Sequence, residues 1–162
     1  MDDAAGEPTI RRATGVDGVA TSAIFDAART ANLPFLPVLH SRAEDDAFFT
    51  RAMTETEGWV AVDAAGRPLG FAAWHDGMLD HLYVHPAAQG AGIGSALLAR
   101  VQVAHPEGFD LFVFQRNSRA RRFYERRGFH PIRFDRENEE GEPDIRERWP
   151  GTEGASGPDH GR

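Results

Sequence analysis

Apolar positions recur along this chain with two different periods, and the changes of period mark its elements. Residues 9–13 read as a short first strand. Thr14 followed by Asp17 resembles a capping box, and Val16, Val19, Ala20, Ala23, Ile24 and Ala27 then recur with helical spacing. That helix should end before Pro34 and Pro37. Ser41 with Glu44 forms a second box, Phe48, Phe49, Ala52 and Met53 form its apolar stripe, and Gly58 reads as its stop. Short extended runs follow at 59–63 and 69–74, with Pro68 at a strand start. After the turn at His75-Asp76-Gly77, residues 78–84 are mostly apolar on both faces, as in a strand buried on both sides. Leu97, Leu98 and Val101 mark a helix over 93–104, broken by Pro106 and Gly108. A strand over 109–115 comes next. Asn117 or Ser118 then caps a helix carrying Ala120, Phe123 and Tyr124, with Gly128 as its left-handed stop. Weaker strands near 132–135 and 144–149 complete the body.

The predicted order is β α α β β β α β α β β. This is an α/β fold with a mixed central sheet and helices on both faces. The unit 78–115 should be a right-handed parallel crossover, and the early strands should pair as antiparallel hairpins. The ends do not extend the pattern. Residues 1–8 and 150–162 are rich in Gly, Pro and charge and read as disordered, leaving one domain over 9–149.

Composition narrows the chemistry. The chain has 162 residues, 41% of them hydrophobic, which suits one domain with a core. It has no cysteine, and its 18 basic residues are all arginine. Without lysine there is no Walker A phosphate loop, Schiff base or PLP anchor. Without cysteine there is no thiol nucleophile, disulfide or Cys-based metal cluster. The net charge of −7 argues against nucleic acid or anionic membrane as a partner. The acidic start MDDAAGEP lacks a signal-peptide core, and no run approaches membrane-spanning length. A cytoplasmic protein is expected.

Candidate chemistry concentrates in Gln89-Gly90-Ala91-Gly92-Ile93-Gly94-Ser95, between a predicted strand and a predicted helix. Glycines let successive N–H groups converge, and a helix N-terminus adds partial positive charge, so the loop suits a phosphate or pyrophosphate. It is not the dinucleotide fingerprint, which would need glycine where Ser95 stands. A tight turn that needs glycine for steric reasons is the plain alternative. For Tyr124, the pattern by itself reads as a core aromatic beside Phe123.

Taken together, several features resemble the GNAT superfamily of acyl-CoA-dependent N-acyltransferases. They are Leu82-Tyr83-Val84-His85-Pro86, Gln89-x-x-Gly92-x-Gly94, a following strand, Asn117, Arg121-Arg122-Phe123-Tyr124 and Gly128-Phe129. The resemblance covers 9–149 and is specific over 79–129. It implies transfer of an acetyl group from acetyl-CoA to the amine of a small molecule or peptide, by direct attack and without a metal. It further implies that Gln89 and the amides from Gly90 to Ser95 hold the coenzyme diphosphate. Leu82, Tyr83 and Val84 would pair with the pantetheine arm, which requires the 78–84 and 109–115 strands to splay apart. Asn117 would contact the pantetheine region, and Tyr124 would protonate the departing thiolate. A coenzyme-binding module without transfer activity stands as the alternative, and a homodimer is left open.

The general base is less determined. Strict alternation would put Asp80 on a face with Met78, Leu82 and Val84, and His81 with Leu79 and Tyr83. Asp80 is the chosen candidate. His81 and a water chain are alternatives, and either residue could instead serve a neighbouring loop. His40, between two predicted helices, is a secondary candidate for substrate contact. Six arginines crowd 116–127, of which Arg121 or Arg122 could meet the coenzyme's 3′-phosphate. Residues 135–148 carry seven acids against three arginines, a candidate acidic mouth for a cationic amine.

Overall fold

The computed structural model describes residues 8–136 and 138–152. The expectations for 1–7 and 153–162 lie outside the described residues. Seven strands form one sheet: β1 (Thr9–Arg12), β2 (Glu57–Val62), β3 (Pro68–His75), β4 (Met78–Val84), β5 (Phe109–Phe114), β6 (His130–Arg136) and β7 (Asp144–Trp149). The spatial order is β1-β2-β3-β4-β5-β7-β6. All neighbours pair antiparallel except β4 and β5, which are parallel. Four helices complete the fold: α1 (Gly18–Asn32), α2 (Arg42–Glu55), α3 (Ile93–Ala104) and α4 (Ser118–Glu125). This is the predicted order and the predicted mixed sheet.

Two apolar cores lie on opposite faces. On one, α1 and α2 bury Ile24, Phe49 and Met53 against Val60, Phe71 and Ala73. On the other, Ile93, Leu97, Leu98 and Val101 of α3 and Tyr124 of α4 pack on Ala61, Ala72, Leu79 and Leu111. Helices therefore cover both faces.

Several local expectations change. Thr14 N–H does donate to the Asp17 carboxylate at 2.8 Å, but the box holds a single 3-10 turn, and α1 begins only at Gly18. This rotates the helix. Val16 and Val19 are 91% and 56% exposed, and the buried face carries Thr21, Ser22, Ile24 and Ala28. Packing against α2 decides the phase: a Cβ on Gly18 would run into the backbone and hydroxyl of Thr50. Gly58 does not stop α2. It sits inside β2 opposite Ala73, and α2 ends at Thr56, which turns extended. The Ser41–Glu44 box forms as expected, with Glu44 N–H donating to Ser41 Oγ at 3.1 Å and Ser41 N–H to Glu44 at 2.7 Å. Residues 150–152 are tied to the body, with Thr152 N–H donating to Pro106 O at 2.8 Å.

β4 departs from strict alternation. It pairs with β3 through Ala73↔His81 and Trp74↔Leu79, which leaves Asp80 unpaired in a bulge. Leu79, Leu82 and Val84 consequently join the α3 side, while His81 and Tyr83 face Phe25, Phe49 and Phe71 under α1 and α2. The predicted pairing of His81 with Leu79 on one face is thus corrected. Beyond the bulge β4 also leaves β5: the two are in register only at Met78↔Asp110 and Leu79↔Leu111. The splay expected between these strands is present.

Candidate active site

A cleft of about 410 Å³ opens where β4 and β5 part. Its walls come from 82–84 of β4, the loop and helix start at 88–95, α4 with Asn117, and Ala28, Asn32 and Leu33 at the end of α1. The loop is pinned at both sides. Gln89 donates from Nε2 to Val84 O at 3.0 Å and accepts from Arg119 Nη1 at 3.2 Å. Gly90 and Gly92 have φ of +86° and +83°, values that favour glycine, and nothing lies within 4 Å of where their Cβ atoms would be. Backbone angle, and not crowding by the chain, requires them. A Cβ on Gly94 would meet Phe123 and Val84 only at ordinary contact distance, 3.7 Å. The first helical bond of α3 runs from Ala96 N–H to Gly92 O, so the amides of Ile93, Gly94 and Ser95 precede the helix ladder.

Positive charge frames these amides. Arg127 stacks on Phe123 with its guanidinium carbon 3.9 Å from the ring centre, and it donates to Ser95 Oγ at 2.6 Å. Arg119, Arg126 and Arg127 line the cleft. The 3′-phosphate candidates Arg121 and Arg122 do not. Arg121 turns inward, with Nε buried and Nη1 donating to Gln115 O at 3.2 Å. The pattern missed Arg119 and Arg127 because a run of six arginines carries no sign of which ones face the cleft. The three glycines, free amides and arginines together fit a diphosphate group.

Asn117 caps α4 by accepting from Ala120 N–H at 3.2 Å, and it also lines the cleft. This cap fixes the helix that carries Tyr124. Tyr124 lines the cleft yet is only 9% exposed, with ring neighbours Phe123 and Phe129 at 5.1 and 5.3 Å. Burial, then Tyr83 and Glu147, push its phenol above the ordinary tyrosine value, so it is protonated at neutral pH. Tyr83 also lines the cleft and is raised by burial.

The candidate bases lie elsewhere. Asp80 is exposed in the bulge and is not among the residues lining the cleft. Partial desolvation raises its carboxyl, with His75 opposing. His81 belongs to the aromatic layer under α1 and α2, its ring 5.1 Å from Phe49 and 5.8 Å from Phe48. Burial, followed by the charge of Arg29, lowers it to about 4, so it is neutral at physiological pH. His40 is paired with Glu139 at 3.1 Å, which raises its pKa, and it lines a second hollow of about 440 Å³. That hollow shares Leu33 with the cleft. Three of the seven acids in the run are paired: Glu139 meets His40, Glu140 meets Arg29 and Glu142 meets Arg116. Among the described residues no cluster could hold a metal ion.

Comparisons with known proteins place the chain in a family. Residues 54–131 match the acetyltransferase (GNAT) domain family. A peptidyl-lysine N-acetyltransferase, YjaB, from Salmonella typhimurium is 31% identical over 120 residues, covering 74% of this chain and 81% of that protein. The solution structure of apo YjaB from Escherichia coli superposes with a TM-score of 0.73 at 25% identity, covering 89% of this chain and 98% of that one. The N-acetyltransferase PaiA of Thermoplasma acidophilum, solved with coenzyme A, shares the fold with a TM-score of 0.64 at 15% identity, covering 87% and 98%. The chain belongs to the GNAT superfamily and is an acyl-CoA-dependent N-acetyltransferase.

Proposed function

We propose that the protein moves an acetyl group from acetyl-CoA to an amine by direct attack, with both substrates bound at once. The observation that carries this reading is the continuous cleft, lined by both the glycine loop and Tyr124, beside the strands β4 and β5 that part. Acetyl-CoA supplies the activated acyl thioester. The amides from Gly90 to Ser95, with Arg119 and Arg127 beside them, hold its diphosphate. Leu82, Tyr83 and Val84 offer the strand edge that β5 has left, for hydrogen bonds to the pantetheine arm. A free N–H of this strand polarises the thioester carbonyl. Tyr124 gives its proton to the departing sulfur.

Asp80 is proposed to receive the amine's proton. It stands at the bulge where strand pairing ends, and because it lies outside the cleft wall this transfer runs through solvent. The acceptor approaches from the hollow that shares Leu33 with the cleft. The name of the YjaB relative supports a peptide amine as one acceptor class. The test is thiol release from acetyl-CoA over a panel of lysine peptides, aminoglycosides and small amines. Amine-dependent release with matching acetylated product is expected. Coenzyme binding with no release for any amine would favour the non-catalytic module.

A further inference from the structure

Helices α1 and α2 cover only part of their face of the sheet. The core beneath them takes residues from β2, β3 and β4 and none from β5, β6 or β7. Phe35, from the segment after α1, meets Phe114 at the end of β5, with ring centres 6.4 Å apart. Beyond that contact, alternation along the strands decides what the face presents. Phe109, Leu111, Val113, Ile145 and Trp149 belong to the core under α3 and α4. Asp110 and Phe112 of β5, with Arg148 and Arg146 opposite them on β7, therefore stand on the other side. β6 extends both rows, with Arg133 opposite Arg146 and His130 opposite Arg148.

Charge on this face is unbalanced. Asp110 is held by Arg146 at 2.6 Å and by Arg148 at 2.8 Å, and it is itself buried. Arg133 and His130 are exposed and make no ion pair among the described residues. Asp144, also on this face of β7, is buried at the far end of the strand beside Asn138. Like charges directly opposite each other weaken strand pairing, so Arg133 opposite Arg146 works against the sheet that carries it. Sheet stability gives no account of Arg133. Phe112, half-buried, lies 5.6 Å from the Arg146 guanidinium carbon and adds an apolar floor between the arginines.

We propose that the open face of β5, β7 and β6 is a docking surface for a short acidic segment of a partner protein. Charge complementarity selects that class. Arg146 and Arg148 stand two residues apart, about 7 Å along β7, which is also the spacing of alternate side chains in an extended peptide. Carboxylates at every second position meet both guanidiniums at once. Arg133 stands one strand further out, about 5 Å to the side, and takes a carboxylate of the same segment. A long polyanion such as a nucleic acid fits poorly. The acids of the β6–β7 connection close one end of the patch, and the net charge of −7 repels phosphates that run beyond it. None of these residues lines the cleft, so the surface is separate from acetyl transfer.

The test is fluorescence anisotropy of a labelled peptide of alternating Glu and Ser, titrated with the full chain. Binding is expected, and it should weaken as salt is raised. The matching peptide with Gln in place of Glu should not bind. Arg133→Glu should weaken binding about tenfold or more, because a carboxylate then faces the carboxylates of the peptide. In that variant acetyl-CoA binding should be unchanged. Its melting temperature should be equal or higher, since an opposite-charge pair replaces a like-charge one. Arg51→Glu, the same charge change at an exposed position of α2, should leave the peptide affinity unchanged. If Arg133→Glu fails to fold, Arg133→Ser carries the same comparison. Absence of binding by the wild-type chain, equal binding of the Gln peptide, or equal losses in Arg133→Glu and Arg51→Glu overturns the proposal. Tighter binding of a single-stranded oligonucleotide of the same length overturns it too, and assigns the face to nucleic acid.

Discussion

A phenol of ordinary pKa, about 10, already holds its proton at neutral pH, so burial at Tyr124 is not what makes it an acid. The surroundings oppose proton loss: a raised pKa makes the phenolate costly to form. Under the proposed acid role, Tyr124→Phe should reduce kcat by about 10²-fold or more while KM for acetyl-CoA stays constant, measured by steady-state thiol release. Gly92 makes the second single-residue case. Its φ of +83° resists any side chain, and the space beside it is empty of protein. Gly92→Glu places a carboxylate among amides suited to a diphosphate. Acetyl-CoA binding followed by calorimetry should vanish while the circular dichroism spectrum is kept. Retained binding would remove the loop from the coenzyme site.

At the scale of elements, the contact of α1 with α2 sets the helix phase. Gly18 lies against the backbone of Thr50, and the register follows from that contact and not from the valines that a periodic reading favours. Gly18→Ala forces the two helices apart. Overpacking of this kind costs about 1–3 kcal/mol, and urea denaturation should show a lower midpoint with an unchanged slope. An unchanged midpoint would mean that the helices are not in rigid contact here. The bulge in β4 is a second element-level event. One unpaired residue, Asp80, reverses the facing of everything before it and brings Leu79 into register with Leu82 and Val84. Bulges have no composition signal in a strand of this kind, so alternation misassigned the face of Leu79. Caps are different. Ser41 with Glu44, and Asn117 ahead of α4, were readable because capping is a contact between near neighbours in sequence.

The whole molecule places His81 between the sheet and two helices, and its stability should record this with pH. The folded pKa is lowered to about 4 from an unfolded 6.5. Above pH 6.5 the imidazole is neutral in both states and adds no penalty. As pH falls from 6.5 towards 4, the unfolded chain binds a proton that the folded chain refuses, so stability declines, by at most roughly 3 kcal/mol. Urea midpoints at pH 7.5 and 4.5 should differ by this effect, and His81→Phe should flatten it. Asp110, lowered through its bonds to Arg148 and Arg146, acts in a lower window: its stabilisation is present above the unfolded carboxylate value and is lost as pH falls through the folded one. Local signals in the chain determined the element order, the caps, the glycine loop with its two left-handed residues, and the absence of lysine and thiol chemistry. All of these depend on residues a few positions apart or on composition. Only the tertiary structure decided which arginines reach the cleft, that His81 is a neutral member of an aromatic layer, and that the acids at 139–142 are already paired. The same holds for the full burial of the Glu147 carboxyl. Each of those depends on contacts between residues far apart in the chain, where burial and a partner's charge, and not residue type, set what a side chain can do.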